Sequence, residues 1–75
     1  MIAWKDVHSS MVEKIGYDDA TQELSVRWRR GGKTSVYSDV PADVASQAMT
    51  AWSVGDFLND NVKGIYQHRY AEHRA

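Results

Sequence analysis

The chain contains no cysteine. No disulfide can staple it, and a zinc or iron–sulfur site built from clustered thiolates is excluded. Proline occurs once, at Pro41, and no apolar run approaches the roughly 20 residues needed to cross a bilayer. An excess of charge is missing too. Nine basic and ten acidic side chains leave a net charge of -1, so nothing draws the whole molecule toward nucleic acid or an anionic membrane. Any such binding must come from a local patch. Length is also in short supply: the 75 residues form one domain, 1–75, and a chain this short buries only roughly 60% of the surface its unfolded form exposes. That excludes a large enzyme with a deep, walled cleft and leaves a fold held by packing alone or helped by self-association. The opening residues, with Lys5 and Asp6 early, lack the basic start and apolar stretch of a secretory leader. The expectation is a soluble cytoplasmic protein with no membrane partner.

What the sequence does have is alternation. Met11, Glu13, Ile15 and Tyr17 share one parity, and Val12, Lys14 and Gly16 the other, which predicts a strand over 11–18. Turn-forming residues follow from Asp18 to Gln22. Leu24, Val26 and Trp28 then alternate with Ser25, Arg27 and Arg29, the clearest strand in the chain, over 23–30. Gly31-Gly32 tolerates the positive φ of a tight hairpin turn, and a third run rich in Thr, Val and Tyr covers 33–40. A two-residue loop would pair Trp28 with Ser35, Val26 with Tyr37 and Leu24 with Asp39. Cross-strand partners share a face, so the indole, the aliphatic groups and Tyr37 turn to the core while Arg27, Arg29 and Thr34 look outward.

Pro41 ends the sheet and suits the first turn of a helix, with Asp43 near its positive end. The first helix is predicted over 42–52, with Val44, Ala45, Ala48 and Trp52 on one buried stripe. Ser53 to Asp56 reads as a capping sequence opening a second helix over 54–63, whose buried side is Phe57, Leu58, Val62 and Ile65. Gly64 marks its end, and a polar tail occupies 67–75. The predicted fold is α+β: a three-stranded antiparallel sheet followed by two short helices packed on one face.

The order of these elements carries a resemblance. Ser9-Ser10, Ile15-Gly16-Tyr17-Asp18, Leu24-x-Val26-x-Trp28, a glycine-containing turn, Tyr37 before Val40-Pro41, and Ala51-x-Ser53-x-Gly55-x-x-x-Asn59 together resemble the KTSC domain. This is a small domain found at the C-terminus of some lysyl-tRNA synthetases and as a stand-alone protein of bacteria and phages. The resemblance runs over about 6–66, through the order and spacing of many weak elements and no catalytic motif. It implies an association with RNA, through the company the domain keeps. In one place the chain departs from the pattern: the family carries two aromatics around a central residue before the Val-Pro step, and here Ser35-Val36-Tyr37 supplies only Tyr37. Trp28, across from Ser35, is expected to fill the missing volume.

Four of the nine basic residues fall within Arg27-Trp28-Arg29-Arg30-Gly31-Gly32-Lys33. Alternate strand residues lie about 7 Å apart, close to the spacing of successive phosphates, so Arg27 and Arg29 can grip a backbone while Arg30 and Lys33 crowd the turn. Solubilising charge on an edge strand is the competing explanation. Lys63, His68, Arg69, His73 and Arg74 alternate with Tyr66 and Tyr70 in a second basic and aromatic stretch, of a kind that stacks on bases but also occurs in plain flexible termini. His68 and His73 stand five apart, not on one helical face, and adjacent strand residues His8 and Ser9 point apart. No metal site, cofactor or nucleophile–base pair is therefore expected. At Ser53 and Gly55 helix capping and close packing outweigh anion binding.

The expected function is a non-enzymatic binding module for RNA or another phosphate-bearing ligand, using Arg27, Arg29, Arg30 and Lys33, with Tyr37 stacking or supporting. The alternative is a protein-interaction module, such as a phage accessory protein that dimerises and docks on a host protein through Trp4, Tyr66 and Tyr70. A trap for small phosphate-bearing metabolites, built between subunits, is a third.

Overall fold

The computed structural model describes residues 3–7 and 9–71; His8, His73 and Arg74 lie outside them. Seven elements follow one another: β1 (Ala3–Asp6), β2 (Val12–Asp18), β3 (Glu23–Trp28), β4 (Thr34–Tyr37), α1 (Ala42–Thr50), α2 (Val54–Asn61) and β5 (His68–Tyr70). The strands form one antiparallel sheet in the order β1-β2-β3-β4-β5, with the helices inserted before the last strand. The α+β class holds, but the sheet has five strands where the alternation pattern predicts three. Both extra strands lie at the edges. Their short sequences, AWKD and HRY, have no apolar alternation because an edge strand is held chiefly by backbone pairing. The polar tail is consequently in part a strand.

The two central hairpins explain where side chains point. Asp18 Oδ1 accepts from the Ala20 amide at 3.0 Å and shapes the turn after β2. The turn after β3 holds four residues rather than two: the Trp28 amide donates to the Lys33 carbonyl at 2.8 Å, enclosing Arg29 to Gly32, and both glycines take positive φ. Leu24 therefore pairs with Tyr37 and Val26 with Ser35, two positions earlier on β4 than a two-residue loop gives. A slip of two preserves parity, so Leu24, Val26 and Tyr37 still turn to the core and Arg27 away from it, but Thr34, expected to look outward, is buried, and Arg29 lies beyond the end of β3 in the turn.

A bulge at Glu13 separates the pairs Val12 with Trp28 and Lys14 with Arg27. It places Val12 and Ile15, three apart in sequence, in the same buried core, against the strict alternation expected of β2. That core joins Val12, Ile15, Leu24, Val26 and Tyr37 of the sheet to Ala45 and Ala48 of α1 and to Val54, Leu58 and Val62. A fully buried Ile or Leu contributes about 1.5–3 kcal/mol, a large share of the stability of a domain this small.

Ser53 caps α2 as predicted, accepting from the Asp56 amide at 3.4 Å. Gly55 is buried where a Cβ would stand 2.8 Å from Met11 Sδ, so its role is close approach of α2 to the start of β2. Trp52 corrects the reading of α1. The helix stops at Thr50, Ala51 is extended, and the indole is fully exposed rather than on a buried stripe. Ile65 is exposed too, in the turn beyond α2.

Candidate functional site

Four pieces of chain meet at one end of the helix-covered face. The β3–β4 turn supplies Arg30, with Trp28 and Lys33 at its base. β4 supplies the floor, Ser35 and Tyr37, both almost wholly buried. The chain leaving α2 turns back on itself, with the Lys63 amide donating to the Leu58 carbonyl at 2.8 Å and Gly64 at positive φ, and so brings Lys63 above Trp28. β5 adds His68 beside Tyr37 and Tyr70 beside Ser35 by its register. Together these residues line an open cleft of about 400 Å³. Among the described residues lining it, four are basic or imidazole, three are aromatic and none is acidic.

The interior of the cleft is ordered by short-range contacts. Trp28 Nε1 donates to Ser35 Oγ at 2.8 Å, which fixes the indole. The Lys63 ammonium lies 4.4 Å from the Trp28 ring centre and that of Lys33 5.4 Å from the Tyr70 ring centre, so each ring carries a cation. His68 sits between two phenol rings, 5.4 Å from Tyr37 and edge-on to Tyr70 at 5.5 Å. Burial, the largest cause, pushes the Tyr37 phenol above its ordinary range; a hydrogen bond with Ser35 pulls it down, and Tyr70 adds a smaller upward push. The phenol is neutral at physiological pH.

The structure divides the residues singled out from sequence. Arg30, Lys33 and Tyr37 come together in the cleft. Arg27 does not: it lies on the opposite face of the sheet with its Nε 2.9 Å from Glu13 Oε2. Arg29 turns back along the chain, Nε donating to the Ser9 carbonyl at 3.2 Å and a terminal nitrogen reaching the Val12 carbonyl at 3.5 Å. It closes the first strand connection onto the turn. Of the three residues assigned to a partner surface, Tyr70 belongs to the cleft, Tyr66 is half-buried against the core, and Trp4 is exposed on β1 at the other edge of the sheet, near Lys14.

Sequence reasoning did not assign Trp28 or Ser35 to the site, and it read Lys63 and His68 as part of a separate basic and aromatic stretch and not as neighbours of Arg30 and Lys33. The i, i+2 spacing of His68 and Tyr70 was the available signal, since it sets both on one face of a strand. Ser35 and Trp28 do contact one another, as expected, but the indole leaves open the space above Ser35. Among the described residues no group of three or more His, Asp or Glu is placed to hold a metal, and no helix is long and apolar enough to cross a membrane.

Comparison with known proteins agrees with this architecture. A protein of the bacterium Tsukamurella paurometabola is 44% identical over 57 residues, 76% of this chain and 84% of the relative. The crystal structure of a KTSC domain protein from Yersinia pestis matches with a TM-score of 0.90 and 30% identity, over 96% of this chain and 100% of that one. The family model of the KTSC domain covers residues 8–66, and with that span, which includes β2 to α2 and the turn beyond, the chain belongs to the KTSC domain family.

Proposed function

We propose that this protein is a non-enzymatic binding module whose cleft takes a phosphate-bearing ligand, with RNA the favoured partner. The observation that carries the reading is the gathering of Arg30, Lys33 and Lys63 around aromatic walls with no carboxylate among the lining residues. Cations that lack an acidic neighbour in a partly walled cleft focus a positive field there despite a net charge of -1. Arg27 has its own carboxylate and is not part of the grip; Arg29 holds the turn that presents Arg30.

Anisotropy of a labelled single-stranded RNA, titrated with the full chain at rising salt, tests this. Three phosphate contacts give a slope of about -2 in log affinity against log salt, or a loss on the order of 20-fold between 50 and 200 mM. Arg30→Ala with Lys33→Ala flattens that slope; Arg27→Ala leaves it in place. Binding indifferent to salt and to the double substitution refutes the proposal. A second reading, protein docking, has one observation in its favour: the fully exposed Trp52, which lines a shallow groove with Val7, Met49, Ala51 and Val54 and with the polar Lys5, Asp6 and Thr50. A partner captured from lysate that survives nuclease and is lost with Trp52→Ser would establish that reading instead.

A further inference from the structure

We infer that the cleft holds one unpaired nucleotide by its base and its phosphate together, so that RNA is taken as a single strand and duplex is refused. This rests on the reading of the cleft as a phosphate site and adds to it what the rest of the ligand must be. The argument starts from the two rings. Lys63 covers Trp28 at 4.4 Å and Lys33 covers Tyr70 at 5.4 Å. A bare phosphate would draw the ammonium groups off and leave both rings uncovered. A bare aromatic molecule would displace the ammonium groups and give them no anion in return. A nucleotide satisfies both halves of the Tyr70 pair: its one base replaces the Lys33 ammonium at that ring, and its phosphate receives the displaced charge.

Shape and rigidity point the same way. At about 400 Å³ the cleft lies near the small end of small-molecule sites, about 300–1,000 Å³, enough for one nucleotide rather than a stack. Tyr70, the most accessible of the cleft's phenol and indole rings, is 60% exposed yet braced by the edge-on contact with His68. A stacking surface set before the ligand arrives loses little freedom on binding. An RNA duplex offers its phosphates and 2′-hydroxyls outward but keeps its bases stacked, so it cannot reach Tyr70.

The test uses the full chain carrying Trp4→Phe and Trp52→Phe, which leaves Trp28 as the only tryptophan and its fluorescence as the readout. Four probes are titrated at one low ionic strength: an oligouridylate of eight residues, the same backbone without bases, a duplex RNA of equal length, and inorganic phosphate. The expected result is that the oligouridylate changes Trp28 emission and binds about 10-fold tighter than the abasic backbone or the duplex, the worth of stacking one base. Tyr70→Leu, at an exposed edge position, should erase that preference, bringing the oligouridylate down to the affinity of the abasic backbone measured on the same variant, with circular dichroism confirming the fold. Equal, salt-dependent affinity for the single strand, abasic strand and duplex overturns the unpaired-nucleotide inference and leaves the phosphate reading standing. A preference that survives Tyr70→Leu also overturns it. Failure of all four probes to bind overturns both.

Discussion

The two faces of the sheet carry similar numbers of cationic side chains and use them differently. On the open face Arg27 meets Glu13 and Arg69 meets Glu23, each at 2.9 Å. On the helix-covered face Arg30, Lys33 and Lys63 border a cleft whose lining holds rings and no acid. Arg27 and Arg30 are only three residues apart, yet the bulge at Glu13 brings a carboxylate alongside Arg27, while the glycine turn carries Arg30 to the other side. Local density of charge in a sequence therefore says little about field. What stands opposite on the same face decides whether a guanidinium is neutralised within the fold or available to a ligand.

The faces should also differ most in what they contribute to stability. Ile15→Ala, on the covered face with no exposed surface, should cost about 2–5 kcal/mol, through lost burial and the cavity left behind. Arg27→Ala, which breaks a pair whose side chains remain partly exposed, should cost no more than about 1 kcal/mol. Urea unfolding followed by circular dichroism measures both. A comparable cost for the two would mean that the ion pairs of the open face, and not the apolar contacts, hold the sheet together.

A smaller effect belongs to the covered face alone. The Tyr17 hydroxyl donates to the Val40 carbonyl and ties β2 to the entry of α1, so Tyr17→Phe should cost about 1 kcal/mol. Its phenol is raised, by burial first and then by Asp19, Asp43 and Asp18, and that of Tyr37 is raised chiefly by burial. A raised folded value means that the folded chain holds the proton more tightly than the unfolded chain. This stabilisation is complete below pH about 10, where free tyrosine is neutral, and is lost as pH rises toward the folded values. The urea midpoint should therefore fall between pH 9 and pH 11, and fall less in Tyr17→Phe. A midpoint that stays level across that range would contradict both shifts.

The central strands were legible because each has a buried face that enforces alternation, as Leu24, Val26 and Trp28 do. Ser53 announced its cap, and Pro41 the end of the sheet. The edge strands were not legible, because β1 and β5 pair through backbone and their side chains follow no apolar rule. Glu13 hid the bulge, since an extra residue in a strand leaves no mark in composition. Half of the cleft was readable as the turn residues Arg30 and Lys33 and the floor residue Tyr37. The other half comes from Lys63 and His68, more than twenty positions away, which only the turn after α2 and the return of the chain as β5 bring alongside. Trp52 misled because it continues the helical spacing of Val44, Ala45 and Ala48 two residues beyond the point where the helix stops.

The weakest expected effect is the one that bears most directly on the contrast between the faces. Replacing Glu13 and Glu23 by Gln releases Arg27 and Arg69 from their carboxylates and raises the net charge by two, without removing a buried group. If unpaired arginines were sufficient for anion binding, the open face would become a second site, and RNA affinity would rise by as much as Arg30→Ala with Lys33→Ala lowers it. The cleft offers more than charge, however: its cations converge between walls that hold a ligand and exclude part of the solvent, whereas those of the open face spread over a surface where salt screens them. The double Gln variant should therefore gain less than about 3-fold in affinity, the gain disappearing by 200 mM salt, where the Debye length has shrunk below about 8 Å. A larger gain that persists at that salt would show that the pairing of arginine with glutamate, and not the shape of the cleft, is what keeps the open face silent.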